Sequence, residues 1–238
     1  VQQAMGWDKV TIPKVPSMLL GSYAISPYDV TKLYQTIANE GASIPLNTIN
    51  SVVDRQGNVV YSREFEPKQV VPREAAFQTL FAMQQVVDRG TAHSLQPDYA
   101  YLHLAGKTGT TNDARDTWFV GIDGENVTTI WLGRDDNGET KLTGASGALQ
   151  VYKEYLKRAT TRPLKLHKPE EIKWVGINAY GGWDCSSART IPVWADRNQS
   201  FCQQTEYTPT MPSANAVESN NAPKQESVWD VLNEGNSA

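Results

Sequence analysis

The chain has 238 residues, a formal net charge of −4 at pH 7 and a hydrophobic fraction of 39%. This length allows one or two domains with a full hydrophobic core, and the acidic balance argues against a nucleic-acid partner or a basic membrane-binding patch. No run of about 18 apolar residues is present, so the sequence predicts no membrane-spanning helix. The chain opens at Val1 rather than at a methionine, with no signal peptide, and is interpreted as a truncated piece of a longer protein.

The first part of the chain is predicted to alternate helices with antiparallel strands. Ser26 is a good N-cap followed by an apolar stripe at helical spacing, and Asp123-Gly124 is a strong hairpin signal. This order of elements predicts an α+β fold with helices packed on an antiparallel sheet. The predicted elements are an irregular segment over 1–25, helices over 26–40, 73–88 and 145–158, a hairpin over 49–54 and 58–62, and strands over 101–110, 116–122 and 127–133.

The composition changes near residue 160, which predicts three segments: 1–160, 161–207 and 208–238. The middle one is expected to be a small β-rich appendage, with short strands near 172–177 and 190–194. The last is rich in Pro, Ser, Asn and Glu, and should be disordered because it has too few apolar residues to offset the entropy of ordering. Its single apolar cluster at 228–232 is a candidate docking motif, although an undocked tail is the favoured interpretation.

Two cysteines, Cys185 and Cys202, both belong to the predicted appendage. Neither is part of a CxxC or His/Cys cluster, so a zinc site is not expected. A disulfide between them is favoured over two buried reduced thiols. It would contribute roughly 3 kcal/mol by the loop-entropy relation and would indicate an oxidising compartment.

The main chemical signal is the run from Lys107 to Thr111, followed by Asp-Thr-Trp-Phe-Val-Gly over 116–121. Lys-Thr-Gly is one of three short motifs that build the site of penicillin-interacting serine acyl-transferases. The other two, Ser-x-x-Lys and Ser-x-Asn, should precede it, and neither does. Two Ser-x-Asn matches, at Ser213 and Ser219, follow it in the tail and are interpreted as chance. We therefore expect the nucleophilic serine to lie upstream of this chain.

The residues of the run suit what acyl transfer requires. The ammonium of Lys107 favours a substrate carboxylate and a deprotonated neighbouring amine. The hydroxyls of Thr108 and Thr110 can hydrogen-bond that carboxylate, Gly109 leaves room for a peptide along the strand, and the Thr110 N–H is a candidate oxyanion-hole donor. Lys107 and Thr110 are thus predicted to be catalytic, and Thr108, Gly109, Thr110 and Thr111 to bind substrate.

Strict strand alternation raises a difficulty, because it places Lys107 on the face opposite Thr108 and Thr110. All three can serve one site only at the strand edge, or if the strand twists at the glycine. Asp116 is predicted to brace the following loop, and Trp118 is also assigned a structural role. No cofactor or metal is expected. The histidines lack an acid or cysteine partner at motif spacing and are expected to be structural or solvated: His93, His103 and His167.

Together these segments resemble the class A penicillin-binding proteins, the bifunctional peptidoglycan synthases. The appendage is similar to that of the B-type enzymes of Gram-negative bacteria, through Cys185, the Pro-Val-Trp at 192–194 and the Cys-Gln-Gln at 202–204. The resemblance over 13–158 is carried by Leu19-Leu20-Gly21 through Ser26-Pro27, Ala38-Asn39-Glu40-Gly41, Met83-Gln84-Gln85-Val86-Val87 to Arg89-Gly90-Thr91, His103 to Thr111, Asp116-Thr117-Trp118-Phe119 and Gly144-Ala145-Ser146-Gly147-Ala148.

The resemblance implies a penicillin-binding-protein/β-lactamase-like transpeptidase fold, of which this chain would hold the C-terminal portion. The parent would also have a glycosyltransferase domain and a membrane helix, and would act at the periplasmic face of the inner membrane. Its serine would be acylated by the penultimate D-Ala of a stem pentapeptide, and also by β-lactams. The implied partners are the stem pentapeptide, β-lactam antibiotics, the N-terminal half of the transpeptidase and, as a candidate, an outer-membrane lipoprotein activator.

Two alternatives stay open from the residues alone. One is a non-catalytic penicillin-sensing or partner-docking module, and the other is a related serine β-lactamase or carboxypeptidase. In each case the fragment alone is expected to be an inactive half-site. Since the helices that carry the nucleophile are missing, we also expect exposed apolar surface, and hence oligomers or a partner chain that supplies the N-terminal half.

Overall fold

The computed structural model describes residues 24–195, together with Pro16 and Gly21. The chain divides into two compact units, with the boundary between Pro169 and Glu170. The predicted tail over 208–238, Cys202 and most of the segment over 1–25 lie outside the described residues. The first unit combines helices with antiparallel strands, as predicted for an α+β fold, and the second contains a two-stranded hairpin.

Most of the predicted elements are present, with ends shifted by a few residues. The hairpin turn from Asp54 to Gly57 and the strand pair joined at Asp123-Gly124 are confirmed. In chain order the elements are α1 (Pro27–Ala38), β1 (Ala42–Ser43), β2 (Ser51–Val53), β3 (Val59–Ser62), β4 (Lys68–Gln69), α2 (Arg73–Arg89), α3 (Gln96–Tyr99), β5 (Ala105–Thr110), β6 (Thr117–Ile122), β7 (Val127–Leu132), α4 (Ala148–Leu156), β8 (Ile172–Gly176) and β9 (Thr190–Trp194).

Strands β5, β6 and β7 form an antiparallel sheet with β6 in the centre. Because side chains alternate along each strand, each of the two faces of the sheet can pack against its own hydrophobic cluster. On one face, Phe119 packs against the ring of Tyr152 in α4, with 4.9 Å between ring centroids. On the other, Ala105 and Ile122 lie in a second cluster with Leu80 of α2 and partly buried residues of α1.

The start of α1 follows its sequence signal, and the segment after α1 is tied to α2. The N–H of Asp29 donates to the Ser26 hydroxyl at 3.1 Å, which confirms the predicted N-cap of α1. Past the C-terminus of α1, the Glu40 carboxylate accepts from the guanidinium of Arg73 at 2.6 Å and contacts His167 Nδ1 at 2.8 Å. One partly buried carboxylate therefore ties the end of α1 to the start of α2 and to the segment that follows α4.

The predicted strand over 101–110 is wrong in its first part. Residues His93–Leu102 instead form short helical turns that bury Leu95 and Leu102, and β5 begins only after His103, whose φ is +50°. Pro97 suits the first turn of α3 and would interrupt a strand ladder. The alternating tyrosines of this segment suggest a strand, but its buried leucines are spaced for helical turns.

Three smaller features also differ from the expectations. Helix α4 begins at Ala148 rather than 145. Its apolar pattern predicts that Tyr155 faces inward with Leu149, Tyr152 and Leu156, but Tyr155 is 38% exposed. The two-residue strands β1 and β4 pair, which no sequence pattern indicated. Residues 161–169 group with the first unit, since Leu164 joins its core and donates its N–H to the Leu102 carbonyl at 2.8 Å.

In the second unit, β8 and β9 pair in antiparallel register from Ile172–Trp194 to Gly176–Thr190. The predicted strands near 172–177 and 190–194 are thereby confirmed. Cys185 is not a free thiol, and its predicted partner lies outside the described residues. The Cys185–Cys202 pairing therefore stays a prediction.

Candidate active site

The Lys-Thr-Gly run lies on β5, which within the described residues pairs along one edge only, with β6. The N–H of Thr111 donates to the Asp116 carbonyl at 3.1 Å, which fixes the hydrogen-bond register of the two strands. In an antiparallel pair, alternate residues point their backbone groups toward the partner. The backbone groups of Lys107 and Gly109 therefore point toward β6, and those of Thr108 and Thr110 point toward the open edge.

The side chain of Lys107 is exposed and turns toward this edge. Its Nζ donates to the backbone carbonyl of Thr108 at 2.5 Å. Side-chain alternation does place Lys107 on the face opposite Thr108 and Thr110, as the register with β6 shows. The long lysine stem bridges that separation, so the ammonium reaches the same open edge as the outward-pointing groups of the two threonines.

The hydroxyls of Thr108 and Thr110 are each held by a residue from another part of the chain. The Oγ1 atoms of Thr108 and Thr91 are 2.7 Å apart, just beyond the end of α2. The Thr110 hydroxyl accepts a hydrogen bond from the backbone N–H of Gly144 at 2.9 Å. Neither Thr91 nor Gly144 was given a role from the sequence, although both belong to segments that carry the family resemblance.

Gly109 lies in a crowded part of the sheet. A Cβ at this position would lie 3.1 Å from the Cβ of Trp118 on β6, so cross-strand packing by itself favours glycine. A Cβ on Gly144 would meet the Gly109 backbone at 2.7 Å. The backbone of Gly109 is therefore covered on its Gly144 side, and the direction left for a ligand is along the open edge of β5.

Asp116 closes the end of the β5–β6 turn. Its N–H donates to the Thr111 hydroxyl at 2.8 Å, and its Oδ1 accepts from the indole Nε1–H of Trp131 at 3.1 Å. Trp131 in turn lies 6.3 Å from Trp118, centroid to centroid, in a tilted arrangement. These contacts suit the bracing role predicted for Asp116 and the structural role predicted for Trp118, and they engage the Thr111 hydroxyl in the turn.

Asp88, in the last turn of α2, has a perturbed acidity. Half-burial raises the pKa of its carboxyl, and nearby Arg89 and His103 partly oppose that effect. The carboxylate accepts from Gln96 Nε2 at 2.8 Å, and its backbone carbonyl contacts His93 Nδ1 at 2.7 Å. Asp88 therefore organises the helical turns that precede β5.

Two further properties apply to the part of the chain that the structure describes. No three His, Cys, Asp or Glu side chains there come together as a group that could hold a metal ion. None of its helices combines the length and the apolarity needed to cross a bilayer.

Comparison with known families gives two matches. Residues 14–154 match the penicillin binding protein transpeptidase domain. Residues 171–206 match the C-terminal domain of penicillin-binding protein 1B. The first match contains the whole Lys-Thr-Gly strand, and the second falls within the predicted appendage.

Relatives with long matches carry the same name. The chain is 65% identical over 235 residues to penicillin-binding protein 1B of Haemophilus influenzae, which covers 99% of this chain and 30% of that protein. It is 46% identical over 225 residues to penicillin-binding protein 1B of Escherichia coli, with 92% of this chain and 26% of that protein covered. The chain thus spans under a third of the length of these curated relatives.

Solved structures show the same fold. The crystal structure of penicillin-binding protein 1A from Haemophilus influenzae superposes with a TM-score of 0.69 at 20% identity, over 81% of this chain and 35% of that one. The penicillin-binding protein PonA1 from Mycobacterium tuberculosis superposes with a TM-score of 0.56 at 24% identity, over 67% of this chain and 45% of that one.

Proposed function

Because this chain belongs to the penicillin-binding protein transpeptidase family, we propose that it supplies the substrate-binding strand of a peptidoglycan DD-transpeptidase. The observation that carries the proposal is the open edge of β5, where the Lys107 ammonium and the outward backbone groups of Thr108 and Thr110 meet. No Ser-x-x-Lys occurs in the 238 residues. The nucleophile is therefore assigned to an upstream segment of a longer protein that faces this edge.

In the proposed reaction, the upstream serine attacks the carbonyl of the penultimate D-Ala of a stem pentapeptide. The terminal D-Ala leaves as the free amino acid, and an amino group of a neighbouring stem peptide then resolves the acyl-enzyme. β-Lactams acylate the same serine. The substrate lies along the open edge of β5, since the opposite edge is occupied by β6.

The residues of β5 have different proposed roles, depending on where their groups point. The Thr110 N–H, which points outward from the strand, donates to the oxyanion that forms on the attacked carbonyl. The hydroxyls of Thr108 and Thr110 bind the C-terminal carboxylate, and the Lys107 ammonium supplies the positive potential that attracts it. Gly109 and Thr111 also contribute to the substrate-binding surface along β5. Gly109 leaves room because it lacks a side chain, and Thr111 fixes the turn that follows the strand.

The proposal extends to the setting of the longer protein. It would lie at the periplasmic face of the inner membrane, carry a glycosyltransferase domain and receive an outer-membrane lipoprotein as activator. The match to the penicillin-binding protein 1B C-terminal domain at 171–206 supports this assignment. The N-terminal half of the transpeptidase is the partner that completes the site.

The test is intact mass spectrometry after incubation with benzylpenicillin. We expect no adduct on the 238-residue chain alone and one stable adduct when the chain is continuous with the upstream Ser-x-x-Lys segment. In that longer protein, Lys107→Ala should slow acylation by about 10²-fold, as expected for loss of one preorganised electrostatic contact. Lys165→Ala removes an exposed lysine outside the site and serves as the control.

Two results would overturn the proposal. One is a stable adduct on the 238-residue chain alone, which would place an activated serine within it. The other is a Lys107→Ala protein that is acylated as fast as the Lys165→Ala control.

A further inference from the structure

We propose that Gly144 is a positioning residue for substrate binding: its backbone N–H orients the Thr110 hydroxyl so that this hydroxyl donates to a substrate carboxylate. The inference rests on the proposed function and adds to it a residue outside the Lys-Thr-Gly strand. It starts from a contact between two segments far apart in the chain, since Gly144 N–H donates to Thr110 Oγ1 across 34 residues at 2.9 Å.

A hydroxyl has one proton to donate and two lone pairs to accept with. The Gly144 N–H occupies an acceptor position of Thr110, so the hydroxyl proton is turned away from Gly144. Within the described residues no group accepts that proton. It is therefore available to a ligand at the exposed end of β5, where Thr110 lies.

This orientation selects for a ligand that only accepts hydrogen bonds. An ionised carboxylate is such a group, because its two oxygens have lone pairs and no proton. A neutral ester in the same place is a weaker acceptor and lacks the charge that strengthens the bond. The bond from Gly144 should therefore increase the preference for an anionic ligand rather than the binding of every ligand alike.

The fit of Gly144 onto the sheet explains how its N–H is held there. A Cβ on Gly144 would lie 2.7 Å from the Gly109 carbonyl oxygen, 2.9 Å from the Gly109 nitrogen and 2.9 Å from the Trp118 carbonyl oxygen. All three atoms belong to backbone within the β5–β6 ladder, so they cannot move aside as a flexible side chain would. Any side chain at 144 must lift the loop and lengthen the bond to Thr110.

The rest of the loop is braced independently of Thr110. The Thr143 N–H donates to the Ser146 hydroxyl at 2.9 Å, and the Ser146 N–H donates back to the Thr143 hydroxyl at 3.2 Å. The Ala148 N–H donates to Thr117 Oγ1 at 3.1 Å, which anchors the start of α4 on β6. Ser146→Ala thus offers a matched control that loosens the loop without touching the bond from Gly144.

The experiment measures acylation by benzylpenicillin and by its neutral methyl ester, in the longer protein that contains the upstream serine. We expect Gly144→Ala to slow acylation by the carboxylate by about tenfold, the effect of weakening one hydrogen bond to a charged group. The rate with the methyl ester should change by less than about twofold. Ser146→Ala should leave the ratio of the two rates at its wild-type value.

The ratio separates positioning from structural support. Equal slowing with both probes would mean that Gly144 only supports the fold, and unchanged rates with both probes would mean that it does not affect substrate binding. Either result overturns the inference while leaving the proposed function standing. A wild-type protein that benzylpenicillin does not acylate would overturn the proposed function, and the inference with it.

A second measurement does not depend on how well Gly144→Ala folds. In the 238-residue chain, the Gly144 amide should be protected from hydrogen exchange, and Thr110→Val should remove that protection while Thr110→Ser keeps it. Equal exchange in all three chains would show that the bond is absent, and the inference would be wrong.

Discussion

The chain forms two antiparallel β structures from similar residues, one of them buried and the other exposed to solvent. Strands β5–β7 and the β2–β3 hairpin both contain β-branched and aromatic residues joined by turns with Asp and Gly. In the sheet, Phe119 is 0% and Val120 is 3% exposed, whereas in the hairpin Val59 is 62% and Val60 is 63% exposed. Strand pattern and turn chemistry therefore specify pairing, while burial depends on which helices later cover the pair.

The same contrast appears in how the two regions use glycine. Gly121 on β6 faces Tyr152, and a Cβ there would lie 2.2 Å from the ring carbon Cζ. Gly57 in the hairpin turn has open space around it but a φ of +87°. One glycine is required by packing and the other by backbone conformation, and the two requirements have different energetic costs.

The largest effect should come from Gly121→Ala. The new methyl group cannot fit against a fully buried ring, so we expect a loss of about 3 kcal/mol in unfolding free energy, at the upper end of overpacking costs. Gly57→Ala should cost about 1 kcal/mol, the strain of a left-handed backbone without glycine. Urea unfolding of both variants compares them directly. Equal losses would mean that the sheet accommodates the methyl group by local movement.

Tyr152→Phe should stabilise the chain. Tyr152 Oη is buried without a hydrogen-bond partner within the described residues, and burial raises the pKa of this phenol well above its ordinary value. Removing an unsatisfied buried hydroxyl should raise the unfolding free energy by about 1 kcal/mol. Tyr155→Phe, at an exposed ring nearby, is the control and should change little. A destabilised Tyr152→Phe variant would indicate that the hydroxyl has a partner.

Two carboxylates should give opposite pH dependences of stability. Half-burial raises the pKa of Asp88 above its ordinary value of 3.8, so this group favours folding below that value and the benefit is lost as the pH rises through the raised pKa. Hydrogen bonds from Asn58 lower the pKa of Asp54, so its contribution is present above 3.8 and is lost as the pH falls through the lowered pKa.

The check is the unfolding free energy of Asp88→Asn and Asp54→Asn as a function of pH, each relative to wild type. The advantage of wild type over the Asp88 variant should shrink as the pH rises above about 4, whereas its advantage over the Asp54 variant should grow as the pH rises toward about 4 and then level off. A common sign for the two would contradict the assigned environments.

The smallest effect belongs to the hairpin surface. Val60→Thr changes a side chain that is already in water, so the unfolding free energy should stay within about 0.5 kcal/mol of wild type. The same substitution at Val120 buries a hydroxyl and should cost about 1–3 kcal/mol. Thermal unfolding of the pair tests this. A large loss at Val60 would reveal that another surface covers the hairpin.

Local signals explain what could be predicted from the sequence. The N-cap at Ser26 and the turn at Asp54 each depend on contacts within a few residues, and both are present. The helix predicted over 73–88 is followed by a glycine that favours a helix end, and α2 does end before Gly90. The turns over 93–102 were missed because the alternating tyrosines suggest a strand, whereas the buried leucines Leu95 and Leu102 and the proline at 97 fit helical turns. The β1–β4 pair joins segments too short to carry any periodicity.

The candidate site likewise has a part that could be predicted from the sequence and a part that could not. The second part of the predicted strand, over 105–110 and including Lys107, was placed correctly, since its motif and its β-branched residues are contiguous. The contacts of Thr91 with Thr108 and of Gly144 with Thr110 span 17 and 34 residues, and depend on how separate segments pack. No single-sequence pattern encodes those distances, and the close backbone approach at the glycines 144 and 147 is evident only from the structure.

The pairing of β1 with β4 has a consequence for how the chain tolerates change. Ser43 and Lys68 are direct partners, so the two ends of the segment between them lie at neighbouring positions. Closing or lengthening the segment between these two partners costs little conformational entropy, because its ends are already held together. Residues 44–67 are thus a natural place for length variation between homologues, and for inserting a reporter domain without disturbing the strand that carries Lys107.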